Sequence, residues 1–134
     1  LLKLHVKVAD KHMALLQQQD FIGEINGLIA AQLETAAITL ESVAEKLGMT
    51  PRQLRHQLKT AGTSFQQLLN KYRHSLARRL LSKTDEDISE IVYLTGFSEP
   101  STFYRAFKRW ENTTPIEYRQ RFTGSKKSSS IKNA

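Results

Sequence analysis

Arg52, Arg55, His56 and Lys59 fall at spacings of three and four residues, which gathers side chains on one side of a helix. No Asp or Glu lies between Pro51 and Lys59, so the stretch cannot neutralise itself and its counter-charge must come from outside. A guanidinium presents a planar fork of donors that fits O6 and N7 of guanine, whereas a lysine meets phosphate as a point charge. Ser101, Thr102, Arg105 and Lys108 form a second set of this kind. The chemistry these residues suit is recognition of a polyanion: Arg52, Arg55, His56, Ser101, Thr102 and Arg105 as base readers, Lys59 and Lys108 on phosphate. No nucleophile motif and no phosphate-binding glycine loop accompanies them, so no enzymatic activity and no cofactor are expected. His5, His12, His56 and His74 lack metal-ligand spacing and cysteine is absent, so neither a metal site nor a disulfide is expected.

Both sets sit in a stretch that occurs twice. When residues 40–59 are laid on 88–108, Leu40 meets Ile88, Val43 meets Ile91, Ala44 meets Val92 and Gly48 meets Gly96. Thr50 then meets Ser98 and, after one inserted residue, Leu54 meets Phe103, Leu58 meets Phe107 and Lys59 meets Lys108. Each copy reads as a short helix, a turn at glycine and a capped basic helix, the pattern of a helix-turn-helix. Matching glycines, matching hydroxyl caps and matching apolar pairs are together more than helical periodicity supplies.

The flanking elements follow from caps and periodicity. Residues 1–8 alternate partly, as a strand or a chain remnant does, and 11–19 read as helical. Ile22, Ile25, Leu28, Ile29 and Leu33 make one apolar stripe, weakened locally by Gly23 and Gly27. Thr39 can cap the next helix, and Thr50-Pro51-Arg52-Gln53 has the form of a capping box with proline in the first turn. A long amphipathic helix is expected from Phe65 to about Ser82, roughly 28 Å at ~1.5 Å per residue. Asp87-Ile88-Ser89-Glu90 suggests another capping box, and Thr114-Pro115-Ile116-Glu117 caps a last helix to about Phe122. Phe103, Phe107 and Trp110 recur at helical spacing, which assigns them to a core rather than to a stacking platform for single strands. The expected fold is all-α, about seven helices forming two helix-turn-helix subdomains joined by a long linker helix. The expected divisions are 1–20, a linker or the end of a missing N-terminal domain; 21–62, the first subdomain; 63–84, the linker helix; 85–122, the second subdomain; and 123–134, a disordered tail.

Composition points the same way. The 134 residues carry 20 Lys+Arg against 13 Asp+Glu, a net charge of +7, and 40% of the chain is hydrophobic. The positive excess lies in the repeats and the tail, which favours a polyanionic partner, either nucleic acid or an acidic membrane face. No apolar run is long enough to span a membrane and no signal peptide is visible, so a cytoplasmic address and no membrane partner are expected. Two groove-reading helices on one face of a duplex lie one turn, roughly 34 Å, apart, and the long helix is a spacer of about that length. Sequence-specific reading of double-stranded DNA is therefore the leading expectation. A non-specific or architectural nucleic-acid binder shares the charge, and a helical protein-interaction module shares the fold.

The chain resembles the C-terminal DNA-binding domain of AraC/XylS-type bacterial transcription regulators over about residues 21–122. The resemblance is most specific in the segment Gly96-Phe97-Ser98-Glu99-Pro100-Ser101-Thr102-Phe103-Tyr104-Arg105-Ala106-Phe107-Lys108-Arg109. Thr114-Pro115-Ile116-Glu117-Tyr118-Arg119 follows it, and Gly62-Thr63-Ser64-Phe65 with Arg73, Ala77, Leu80 and Leu81 match in the linker. It implies binding at promoters, activation through RNA polymerase and a missing N-terminal effector or dimerisation domain. It also places Arg105 at a base-contacting position. Departures are His56 where many members carry Arg, Leu58 where many carry Phe, and Asn112 where Gly is usual. Asn tolerates the left-handed conformation, so the fold is expected to survive the last of these.

Overall fold

In a computed structural model of the chain, residues 2–35 and 38–122 are described, with side chains at 11–34 and 38–122. Among them the secondary structure is entirely helical. Helix α1 (Leu2–Gln32) ends in a single 3-10 turn, Leu33–Thr35. Then come α2 (Leu40–Lys46), α3 (Pro51–Thr60), α4 (Phe65–Lys83), α5 (Ile88–Leu94), α6 (Pro100–Glu111) and α7 over residues 115–122. The tail beyond residue 122 lies outside the described residues. The chain divides into two compact units, Leu1–Gln32 with Ile38–Leu69, and Leu33–Ala37 with Asn70–Ala134.

α1 is longer and more continuous than its sequence suggests. The partial alternation at the start reads as a strand or a chain remnant, and the backbone is helical from Leu2 onward. A lone strand leaves its N–H and C=O groups without partners, whereas a helix satisfies them internally. Residues 11–20 are exposed throughout, and burial becomes complete only at Ile25 and Ile29.

In the first unit α1 packs on α2 and α2 on α3, and Val43, Ala44, Leu54 and Leu58 are buried. Local chemistry fixes both helix starts. Thr39 Oγ1 accepts from the Ser42 N–H at 3.0 Å, and Ser42 Oγ accepts from the Thr39 N–H at 2.9 Å. Thr50 and Gln53 repeat this exchange at 3.1 and 3.0 Å, with Pro51 at the first helical position. Between them Gly48 takes φ +69, the left-handed conformation a short helix–helix turn demands.

The second unit is built around Phe103 and Phe107, both fully buried, with Ala77 and Leu81 of α4, Ile91 and Val92 of α5 and Tyr118 of α7. Its turn at Gly96 takes φ +82, and Thr95, also fully buried, donates its hydroxyl back to the carbonyls of Ile91 and Val92. Asn112 ends α6 in the left-handed conformation at φ 59, as expected of an asparagine standing where glycine is usual. Thr114 Oγ1 accepts from the Glu117 N–H at 3.1 Å and opens α7.

Two expected caps are absent. Asp87 is the N-cap of α5 but makes no side-chain cap bond, so no capping box forms there. The N-cap of α6 is Glu99 rather than Ser98, again without a side-chain bond. Pro100 fixes the first helical position, so whichever residue precedes it becomes the cap.

Candidate nucleic-acid interface

The buried side of each basic helix determines what the other side presents. In α3, Leu54 and Leu58 are 0% and 1% exposed and set the rotation of the helix. At about 100° per residue, the opposite side carries Arg52, His56 and Lys59, all exposed. Arg55 is exposed as well, but it lies on the flank next to Leu58. Gln53 is held in the capping box.

In α6 the inward side is Phe103, Ala106 and Phe107, and the outward side is Ser101, Arg105 and Lys108, all exposed. Thr102 and Arg109 are exposed beside them, and Tyr104 is half-buried. Because Pro51 and Pro100 both open their helices, the two faces align without a gap. Arg52 corresponds to Ser101, His56 to Arg105, Lys59 to Lys108 and Arg55 to Tyr104. Arg109 belongs to the second face by position. Its place was legible, since it is one residue past Lys108 and two past buried Phe107.

The backing of α6 was much less legible. Glu111, the only acid in this helix, forms an ion pair with Arg78 at 3.2 Å and pairs with His74, both on α4. His74 also stacks on Trp110 with ring centroids 5.1 Å apart. The hydrogen bond from Arg78 to the Tyr118 hydroxyl, then the field of Tyr118 and Glu111, hold the Arg78 guanidinium above its ordinary pKa. The one carboxylate of α6 is thus paired with α4, which leaves the outward face without an acid. Arg73, one residue before His74 on α4, stacks over the Phe97 ring at 4.8 Å and donates from Nη2 to the Gly96 carbonyl at 3.4 Å. Burial pushes its pKa below the ordinary guanidinium value. These contacts tie α4 to the turn and to the far end of α6 and so set how the second basic helix is presented.

Two helix-turn-helix units, each with a basic second helix, define a nucleic-acid-binding fold. A family profile described as "Helix-turn-helix domain" matches residues 43–121, more than half of the chain. The chain belongs to this family, the helix-turn-helix domain of AraC-type transcription regulators. It is 40% identical over 81 residues to the ornithine utilization regulator of Pseudomonas aeruginosa, which covers 60% of this chain and 24% of that protein. It is 37% identical over 84 residues to the transcriptional activator RhaS of an Enterobacter species, covering 62% and 30%. A solved AraC-type DNA-binding-domain regulator from Chromobacterium violaceum superposes with a TM-score of 0.69 at 30% identity, covering 79% of this chain and 96% of that one. The matched part spans only 24% and 30% of the length of these two curated relatives. Among the described residues no helix is long and apolar enough to cross a membrane.

Proposed function

We propose that this chain is the part of a bacterial transcription regulator that reads promoter DNA, with α3 and α6 each laid in a major groove. The observation that carries the reading is that both helices turn an acid-free basic face outward, in the same register from the same starting proline. Arg52, His56, Ser101 and Arg105 are the central base readers, Arg55 and Thr102 read from the edges, and Lys59 and Lys108 hold phosphate. RNA polymerase is the partner through which bound regulator activates transcription, and a separate domain senses effector or dimerises. The site of action is the cytoplasm, where promoter DNA is, and no catalysis is involved.

Selection of bound duplexes from a randomised library tests this reading. Two enriched blocks about ten base pairs apart are expected. Binding at low salt without enrichment would establish a non-specific binder instead, and no duplex binding would leave the interaction module. Arg105→Ala is expected to cost about 1–3 kcal/mol of discrimination at one base pair in the second block and to leave the first block intact. Lys108→Ala is expected to weaken all sequences alike and to reduce the slope of log affinity against log salt by about 0.9. Titration of wild type and variants against selected and scrambled duplexes at several salt concentrations separates the two roles.

A further inference from the structure

An apolar cavity of about 390 Å³ opens on the flank of α3, within the first unit. Leu58 supplies its floor, and Leu40 and Phe65 its half-buried walls. Arg55 and Lys59, one helical turn apart and both exposed, stand at its edge. None of the described residues that line it is acidic, so both cations face an apolar space with no internal counter-charge. The hydroxyls of the wall are already engaged: Thr63 donates to the Gln67 side chain at 3.1 Å, and Ser64 accepts from the Gln67 N–H at 3.1 Å. The volume lies in the range of small-ligand pockets, which are typically apolar with a few placed polar groups. A cation pair beside an apolar hollow complements a compact body bearing one negative charge.

We infer that this cavity binds a small apolar carboxylate, whose anionic end pairs with Arg55 and Lys59 and whose body covers Leu40, Leu58 and Phe65. The same two side chains face DNA in the function proposed above, so occupancy and DNA binding compete. The competition rests on that reading, whereas the site itself does not. A macromolecular occupant is less well matched, because a pocket of this size takes a body of one or two rings.

The test uses the full 134-residue chain and 2-naphthoate as probe, followed by NMR without DNA. Saturable binding below about 1 mM is expected, with shifts confined to Leu40, Leu58, Thr63 and Phe65. The neutral amide, 2-naphthamide, is expected to bind at least tenfold more weakly, as is 2-naphthoate to the Arg55→Gln, Lys59→Gln double variant. Leu40→Trp fills the hollow and is expected to abolish probe binding while both cations remain, with circular dichroism confirming the fold. Saturating 2-naphthoate is then expected to raise the apparent Kd for a selected duplex at least fivefold in wild type and not in Leu40→Trp. Equal binding of acid and amide, or shifts located elsewhere, would overturn the site. Probe binding without any effect on measured DNA affinity would overturn the competition. A chain that binds 2-naphthoate but no duplex would refute the proposed function and leave the cavity assignment standing.

Discussion

Gly96→Ala is expected to destabilise the protein by about 2–5 kcal/mol, against about 1–2 kcal/mol for Gly48→Ala at the matching turn. Both glycines hold left-handed backbone, at φ +82 and +69, so each substitution meets the conformational penalty of an L side chain there. Their surroundings differ. A Cβ on Gly48 meets nothing within 4 Å, whereas one on Gly96 lies 2.9 Å from the Leu33 carbonyl oxygen and 3.1 Å from its Cδ1. The closer atom is backbone and cannot swing aside as a side-chain tip does. The 3-10 turn that carries Leu33 must therefore move away from α5, and Leu33 is itself 2% exposed. Gly62→Ala, at φ +80 with open space around it, provides a second control and is expected to behave like Gly48→Ala. Chemical denaturation of the three variants separates conformational strain from crowding. Equal losses in all three would show that Leu33 does not constrain the turn.

The repeat was legible because it rests on local chemistry. Gly48 and Gly96 mark positive φ, Thr50-Pro51-Arg52-Gln53 spells its own cap, and the apolar pairs keep helical period. Asn112 stands where the resemblance implies glycine, and it takes the left-handed conformation. What depends on groups distant in sequence was not legible. Nothing near Glu111 in the chain indicates that it serves His74 and Arg78, 37 and 33 residues earlier. Expected cap bonds failed at Asp87 and in the displacement from Ser98 to Glu99, because residue type supplies a side chain that can cap without fixing where the helix begins. For the candidate interface, residue types gave the cations and buried neighbours gave their directions. Arg55 and His56 are adjacent in sequence and both exposed, yet the rotation set by Leu54 and Leu58 makes His56 central and Arg55 lateral. That rotation is a packing result, and a list of charged residues does not contain it.

Arg119→Ala is expected to cost about 2–4 kcal/mol, the loss of several charge-assisted hydrogen bonds at once. The last turn of any helix leaves carbonyls without intrahelical partners and carries partial negative charge. Arg119, from α7, meets that end of α4. Its Nε donates to the Leu81 carbonyl at 3.1 Å and its Nη2 to those of Leu80 and Thr84 at 3.2 and 3.1 Å, while Nη1 donates to Glu86. One guanidinium thus gathers the end of α4 and the segment that leads into α5, fixing where the second helix-turn-helix begins. Its geometry makes a further distinction. Lysine keeps the charge at the helix end but offers a single ammonium in place of a planar fork, so it cannot reach four carbonyls. Arg119→Lys is accordingly expected to recover less than half of the stability lost in Arg119→Ala. If a cation at the helix terminus were the whole effect, the lysine variant would unfold at the wild-type denaturant midpoint. Amide hydrogen exchange provides a second readout, because release of the 84–86 carbonyls should lower protection in α5 before it does so in α3. Uniform loss of protection across both helices would instead mean that Arg119 acts on the whole chain rather than on the start of the second unit.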